Sequence, residues 1–330
     1  MKKRRQLYIA CALFLGASVW LYGCGESSGG STSAQAAASG TSTTSAQTQS
    51  QTAEAAESHR DTLTDFPVPE ASGSVVYTAE GCEIDASNTA EGYVMVKYTG
   101  SADKVKVQIT APNGSDVYTY TLAIGDYETF PLSAGDGNYQ ICILEHADDD
   151  FYGMLLSQEF SVSLNDEFRP FLYPNQYVWY TASDEAIKLG IQLSDQSADD
   201  LAYLTNVYHY VTQNITYDTE KAANIQANYL PDIDDTLATG KGICFDYASL
   251  MSAMLRSQGI PTKLVIGYSG TAYHAWISVW MEETGWVDKI IQFDGTEWSL
   301  MDPTLAASNK ESFVAQYIGD GTNYTVKYNY

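Results

Sequence analysis

Positive charge is scarce in this 330-residue chain: 17 Lys and Arg stand against 41 Asp and Glu, a formal net charge of −24. A nucleic-acid binder needs a basic footprint, so that class is excluded. Folded domains this acidic do not dock on anionic lipid heads either. Cysteine is rare, with five residues, and histidine rarer, with four. The acidic runs Asp148-Asp149-Asp150 and Asp232-Ile233-Asp234-Asp235 lack the spaced ligands and the glycine of an EF-hand loop, so they read as solvated loops. No internal repeat is evident. The longest apolar run, Ile9 to Leu21, is too short for a comfortable transmembrane helix.

That run follows Lys2, Lys3, Arg4 and Arg5, the pattern of an export signal. It ends in Leu21-Tyr22-Gly23-Cys24, which resembles a bacterial lipoprotein box. The resemblance implies removal of residues 1–23 and lipidation of Cys24. The chain is then expected to be exported and lipid-anchored to the outer face of the bacterial cell membrane, touching that membrane through the N-terminal lipid alone. Loss of the four basic residues leaves 13 against 41 acidic ones, a net charge of −28. Residues 24–68 are dominated by Ser, Thr, Ala, Gln and Gly without apolar periodicity, and read as a disordered tether spanning roughly 35–40 Å. The remaining length suits two domains. Cys82 and Cys142 both fall in the first and could pair in an oxidising compartment, but sequence does not show their separation, and free thiols are the favoured expectation. Cys244 is the lone cysteine of the second, which raises the suspicion of a reactive group.

Residues 69–165 read as a small antiparallel β-sandwich of immunoglobulin-like type. Short β-branched and aromatic segments, at 74–78, 93–98, 104–109, 117–122 and 139–144, are separated by turns such as Pro112-Asn113-Gly114 and Gly135-Asp136-Gly137. His146, beside the acidic run, reads as a surface residue. Residues 166–330 alternate helix and strand signals. Ser197 is placed to cap a helix carrying Leu201, Leu204, Val207, Tyr208 and Val211 at helical spacing, with His209 off that stripe. Leu230 to Gly242 reads as a loop with about one helical turn.

Cys244 then opens a second helix, sharing a face with Ala248, Met251 and Leu255; Gly259 and Pro261 end it. A thiol in a first helical turn feels the positive end of the dipole, which favours the thiolate nucleophile. The glycines before it allow close approach of a substrate, and the Cys244 amide is placed to serve an oxyanion. Two strands follow, 264–268 and 274–281. In the second, Ala275, Ile277, Val279 and Met281 share one face, and His274, Trp276, Ser278 and Trp280 the other, more polar one. Asp302 ends a further strand, where Pro303 forbids more pairing.

In order, Gly242-Ile243-Cys244-Phe245-Asp246-Tyr247-Ala248, the helix ending in Gly259-Ile260-Pro261, His274-Ala275-Trp276 and Asp302-Pro303-Thr304 resemble the transglutaminase-like superfamily, whose fold is similar to that of papain-like cysteine peptidases. The resemblance spans about residues 165–310. It implies an α+β fold, a transglutaminase-like (papain-like) catalytic domain behind the sandwich. It also implies a triad: Cys244 as nucleophile, His274 as general base and then acid, and Asp302 orienting the imidazole. The expected activity is that of a cysteine hydrolase or acyltransferase on amide bonds, through an acyl-enzyme, with peptide, protein or peptidoglycan-peptide substrates and no cofactor or metal. The calcium sites of animal crosslinkers have no visible counterpart. The competing expectation is a non-catalytic cell-envelope binding module with an idle triad.

Overall fold

Alternation of apolar and polar residues builds the first half of the molecule. Strands β1 (Val76–Ala79), β2 (Cys82–Asp85), β3 (Tyr93–Tyr98) and β6 (Glu128–Pro131) form one antiparallel sheet in the order β1-β2-β3-β6. Strands β4 (Val105–Thr110), β5 (Val117–Leu122), β7 (Gly137–Asp148) and β8 (Phe151–Val162) form a second, ordered β5-β4-β7-β8. The computed structural model describes residues 59–148, 151–288, 292–293, 298–299 and 324–330. The expected signal, Cys24 and most of the expected tether lie outside these described residues.

In β4 every second residue is buried: Val105, Val107 and Ile109 meet Tyr120 from β5 and Ile141 and Ile143 from β7. Ile84, Val94, Val96, Tyr98 and Phe130 supply the facing sheet. The two sheets form the sandwich that the turn spacing implies. β3 and β5 span the residues expected of them. β2, β6 and β8 were not expected. β3 is buried on both faces because the segment after the sandwich returns over it: Tyr93 packs on Tyr173 with ring centroids 4.8 Å apart. Gly92 makes that approach possible. It adopts φ +82, and a Cβ there would lie 2.5 Å from the Pro170 ring.

The helices of the second half begin with α1 (Glu185–Asp195) and α2 (Asp200–Asn214). The cap of α2 is Asp199, whose carboxylate accepts from the Ala202 amide, and not Ser197. Asp199 is the extended residue directly before the first helical one, whereas the Ser197 hydroxyl donates back to the Leu193 carbonyl at the end of α1. Then come β9 (Thr216–Tyr217), α3 (Thr219–Asn224), α4 (Ile233–Thr239) and β10 (Lys241–Gly242), more helix than the single turn expected. Helix α5 (Cys244–Ser257) is the centre of this half, with every residue from Asp246 to Ser257 buried. It packs on α1, α2, α4 and the hairpin of β11 (Thr262–Ser269) and β12 (Ala272–Met281). β13 (Gly285–Asp288) and β16 (Tyr324–Asn329) flank that hairpin in the order β13-β12-β11-β16, and β14 (Gln292–Phe293) pairs with β15 (Trp298–Ser299).

The described residues belong to one packed unit, and its two halves share a core. Tyr118 of β5 stacks near Tyr328 and Tyr330, and the Ser133 hydroxyl donates to the Asn329 carbonyl at 2.6 Å. The buried Arg256 guanidinium of α5 donates to the carbonyls of Thr262, Tyr173 and Tyr330, tying three segments to one helix. Residues 59–68, expected to belong to the tether, lie within the described residues and contact the second half. Arg60 reaches back to the second half, bonding Asp200, the Ser194 hydroxyl and the Gln258 carbonyl, and its guanidinium lies 5.0 Å from the Tyr203 ring.

Candidate active site

The residues before Cys244 are clamped from several sides. α4 ends at Gly240 in the left-handed region, and β10 then pairs in parallel with β9. The Thr216 amide donates to the Gly240 carbonyl and the Asp218 amide to the Gly242 carbonyl, at 2.8 and 2.9 Å. Ile243 is the extended N-cap of α5, so Cys244 is the first helical residue, as expected. Its side chain is half-buried against the core, while Ala248, Met251 and Leu255 on the same face are fully buried. Cys244 thus stands at the N-terminal, amide-bearing end of α5.

Two residues on, Asp246 is fully buried and holds three partners. It accepts from the Ile243 amide at 2.8 Å and from the Tyr229 hydroxyl, and pairs with Lys221 at 2.9 Å. The Lys221 ammonium also lies 4.5 Å over the Tyr229 ring. Burial, followed by the bond to Asp246, pushes the Tyr229 phenol well above its ordinary range. One carboxylate therefore caps the helix and pins the 219–230 segment beside Cys244. Sequence reasoning missed this network, although an acidic residue three places after the cap was the signal for it.

His274 lies in β12, opposite Gly267 of β11. Its half-buried ring stacks on Trp276, with centroids 6.1 Å apart and planes at 26°, and leans on Tyr324 at 6.3 Å. The expected alternation holds on one face: Ala275, Ile277, Val279 and Met281 are buried in the core shared with α5. The other face is not polar. Trp276 is 2% exposed, Ser278 is buried with its hydroxyl on Asp288, and Trp280 packs on Phe168. Gly267 is needed here, because a Cβ would lie 2.0 Å from the Thr325 carbonyl oxygen and 2.8 Å from the Trp276 ring. Asp302 lies outside the described residues; β15 ends three residues before it.

The other candidates resolve simply. Cys82 and Cys142 are free and buried, in different sheets, so the pairing left open by the sequence is not formed. His146 bonds Asp103 at 2.9 Å on the sandwich surface, and His209 is half-buried beside Tyr208. Asp232 caps α4, and Asp234 accepts from the Glu185 and Ala186 amides, so these acids are helix caps and not a solvated loop. Among the described residues no group of three or more His, Cys, Asp or Glu is arranged to hold a metal ion. A hollow of about 590 Å³ between Arg60, the start of α2 and the β12–β13 turn contains none of the predicted site residues. A smaller one, about 270 Å³, lies between β5 and the 227–230 segment and includes Tyr177 and Tyr229 in its walls. These two tyrosines touch the first turn of α5: the Tyr177 ring meets Phe245 edge-on at 5.2 Å, and Tyr229 bonds Asp246.

Residues 187–289 match the model of the Transglutaminase-like superfamily. This stretch runs from α1 through the Cys244 helix to β13, so the helical half carries a transglutaminase-like fold, in an α+β chain with an N-terminal sheet region. Among curated proteins, the UPF0252 protein of Methanocaldococcus jannaschii is 30% identical over 141 residues, 39% of each chain. The protein-glutamine gamma-glutamyltransferase of Pseudomonas aeruginosa is 36% identical over 70 residues, 17% of this chain and 10% of that one. The matched stretches thus span well under half of these relatives. A candidate cysteine protease of Cytophaga hutchinsonii, of known structure, aligns over 72% of this chain and 83% of that one, with 13% identity and a TM-score of 0.36.

Proposed function

We propose that this protein is a surface-tethered cysteine enzyme that acts on amide bonds through Cys244, His274 and Asp302, as a peptidase or amidase or as a transglutaminase. The observation that carries the reading is the position of Cys244: the first residue of a buried helix, behind a clamped glycine turn, inside a transglutaminase-like domain. His274 takes the thiol proton and the thiolate attacks the substrate carbonyl. The Cys244 amide, at the helix N-terminus, stabilises the oxyanion. His274 then gives its proton to the departing amine, leaving an acyl-thioester. Water or a second amine, deprotonated by the same imidazole, resolves it. Asp302 holds the imidazole's orientation and stabilises its cation. Hydrolysis is the favoured outcome, since water needs no dedicated site. A lipid on Cys24 would hold the enzyme outside the membrane, where peptide, protein and peptidoglycan-peptide substrates lie.

The second reading is an envelope-binding module with an idle triad, in which the sandwich would capture a wall polymer or a partner protein. The rate of Cys244 alkylation against pH separates the two. In a working pair, labelling is fast well below the free-thiol pKa of about 8.5 and is slowed in His274→Ala. An ordinary thiol profile, identical in both proteins, leaves the binding reading in place.

A further inference from the structure

The smaller hollow beside α5 has walls from both halves of the protein. From the sandwich come Thr119 and Thr121 of the β5 edge and Glu128 of β6; from the second half come Gln176, Tyr177 and Tyr229. Two of its lining residues touch the first turn of the helix that Cys244 opens, Tyr177 on Phe245 and Tyr229 on Asp246.

Two of its features point to a ligand type. The first is the edge of β5, which has β4 as its neighbour among the described strands. The outward carbonyl of Thr121 accepts from the Gln176 side-chain amide at 2.6 Å, so this edge already binds an amide. Backbone groups of alternate residues in an antiparallel strand point the same way, so the Thr119 N–H and C=O also point outward. An extended peptide laid along this edge would meet them as an added strand. The second feature is Glu128, the one carboxylate among the described residues that line the hollow, half-buried there. It accepts from the Ala123 amide at 3.0 Å through one oxygen and from Gln176 through the other. Each oxygen keeps a further lone pair for a donor. Burial raises this carboxyl above its ordinary range, a penalty that a bound cation would offset. A volume of about 270 Å³ is below the roughly 300 Å³ at which small-molecule pockets begin, a size for one side chain of a longer ligand.

We infer that this hollow is a substrate subsite: an extended peptide pairs with the β5 edge at Thr119 and places a lysine-like cationic side chain against Glu128, next to the Cys244 helix. The sandwich would then be part of substrate selection. The inference rests on the amide-bond chemistry proposed for Cys244.

Its test uses the full chain and extended peptides that are identical except for Lys or norleucine at each position in turn. Turnover is read as released amine or ammonia, and binding is read by calorimetry on Cys244→Ala. A charge-assisted contact of about 1.5–3 kcal/mol corresponds to a roughly ten- to hundredfold preference for Lys at one position. Glu128→Gln is expected to bring the ratio of the two peptides near one. Thr119→Pro, a change an edge strand tolerates, is expected to raise KM for both. Equal use of Lys and norleucine by the wild type, or a Lys preference that survives Glu128→Gln, overturns the inference. Turnover without dependence on Glu128 defeats the subsite alone. Glu128-dependent binding by Cys244→Ala, with no turnover by the wild type, upholds the subsite and removes the catalytic reading.

Discussion

Removing the Asp246 carboxylate should loosen the Cys244 helix more than any exposed change could. In Asp246→Ala the Ile243 amide at the buried N-cap loses its acceptor, which costs about 1–3 kcal/mol. The Tyr229 hydroxyl and Lys221 lose their shared partner as well. Lys221 keeps 23% of its side chain in solvent and can rehydrate, so its loss is well below the 3–5 kcal/mol of a fully buried pair. The expected total is about 3 kcal/mol, a large share of the roughly 5–15 kcal/mol that folds a typical protein. Asp246→Asn keeps one acceptor oxygen and the side-chain shape but loses the charge, and should cost about half as much. The measurement is urea unfolding followed by tryptophan fluorescence, where the midpoint should fall without a change in slope. Limited proteolysis should meanwhile cut Asp246→Ala within 219–230 before the wild type. A stability loss below about 0.5 kcal/mol in Asp246→Ala, or equal losses in the Ala and Asn variants, would refute this account of the network.

Gly267→Ala should cost about 3 kcal/mol of stability, read as a lower denaturant midpoint, because the added methyl meets the Thr325 carbonyl and the Trp276 ring and β16 must shift. Alkaline pH should unfold the protein through its buried tyrosines. Burial raises Tyr177 to about 12 and also lifts Tyr118, Tyr120 and Tyr330 above the ordinary phenol value of about 10. A group whose folded pKa is raised gives stability that is complete below the unfolded pKa and is lost as pH rises to the folded one, here between about 10 and 12, at about 3 kcal/mol for Tyr177. A near-ultraviolet tyrosinate titration should show these phenols ionising together with unfolding; smooth ionisation near pH 10 in a folded protein would contradict it.

The legible parts of this protein are those that announce themselves locally. β5 reads directly because Tyr118, Tyr120 and Leu122 alternate with Val117, Thr119 and Thr121. Helix α5 reads directly because a glycine turn precedes Cys244 and Gly259 takes φ +78 after its end. β8 was not anticipated because nearly all its residues are partly or fully exposed, so burial imposed no alternation on Ser157, Gln158 or Glu159. α1 escaped because its apolar stripe is interrupted by Gly190, a buried residue that leaves room for the Tyr203 hydroxyl 3.1 Å from where its Cβ would be. The Ser197 cap failed by two residues: Ser197 and Asp199 are both good caps, and only the backbone turn between α1 and α2 decides between them.

The site divides along the same line. The position of Cys244 at a helix start was legible because it is written within a few neighbouring residues: glycine before, helix after. The hollow next to it was not, because Thr119, Glu128, Gln176 and Tyr229 come from four separate segments, and no spacing in the sequence relates them. They meet because Tyr118 and Tyr120 of the sandwich pack on Tyr177 and Tyr330 of the second half, making the two halves one core. A rigid joint of this kind has a consequence for selectivity. A sandwich swinging on a linker could present a substrate but could not hold Glu128 at a fixed distance from the Cys244 helix. A sandwich fused through a tyrosine core can, since side-chain discrimination needs groups held in place before the ligand arrives. Loosening that core, as in Tyr330→Ala, should therefore weaken discrimination between Lys and norleucine peptides even where Glu128 is intact.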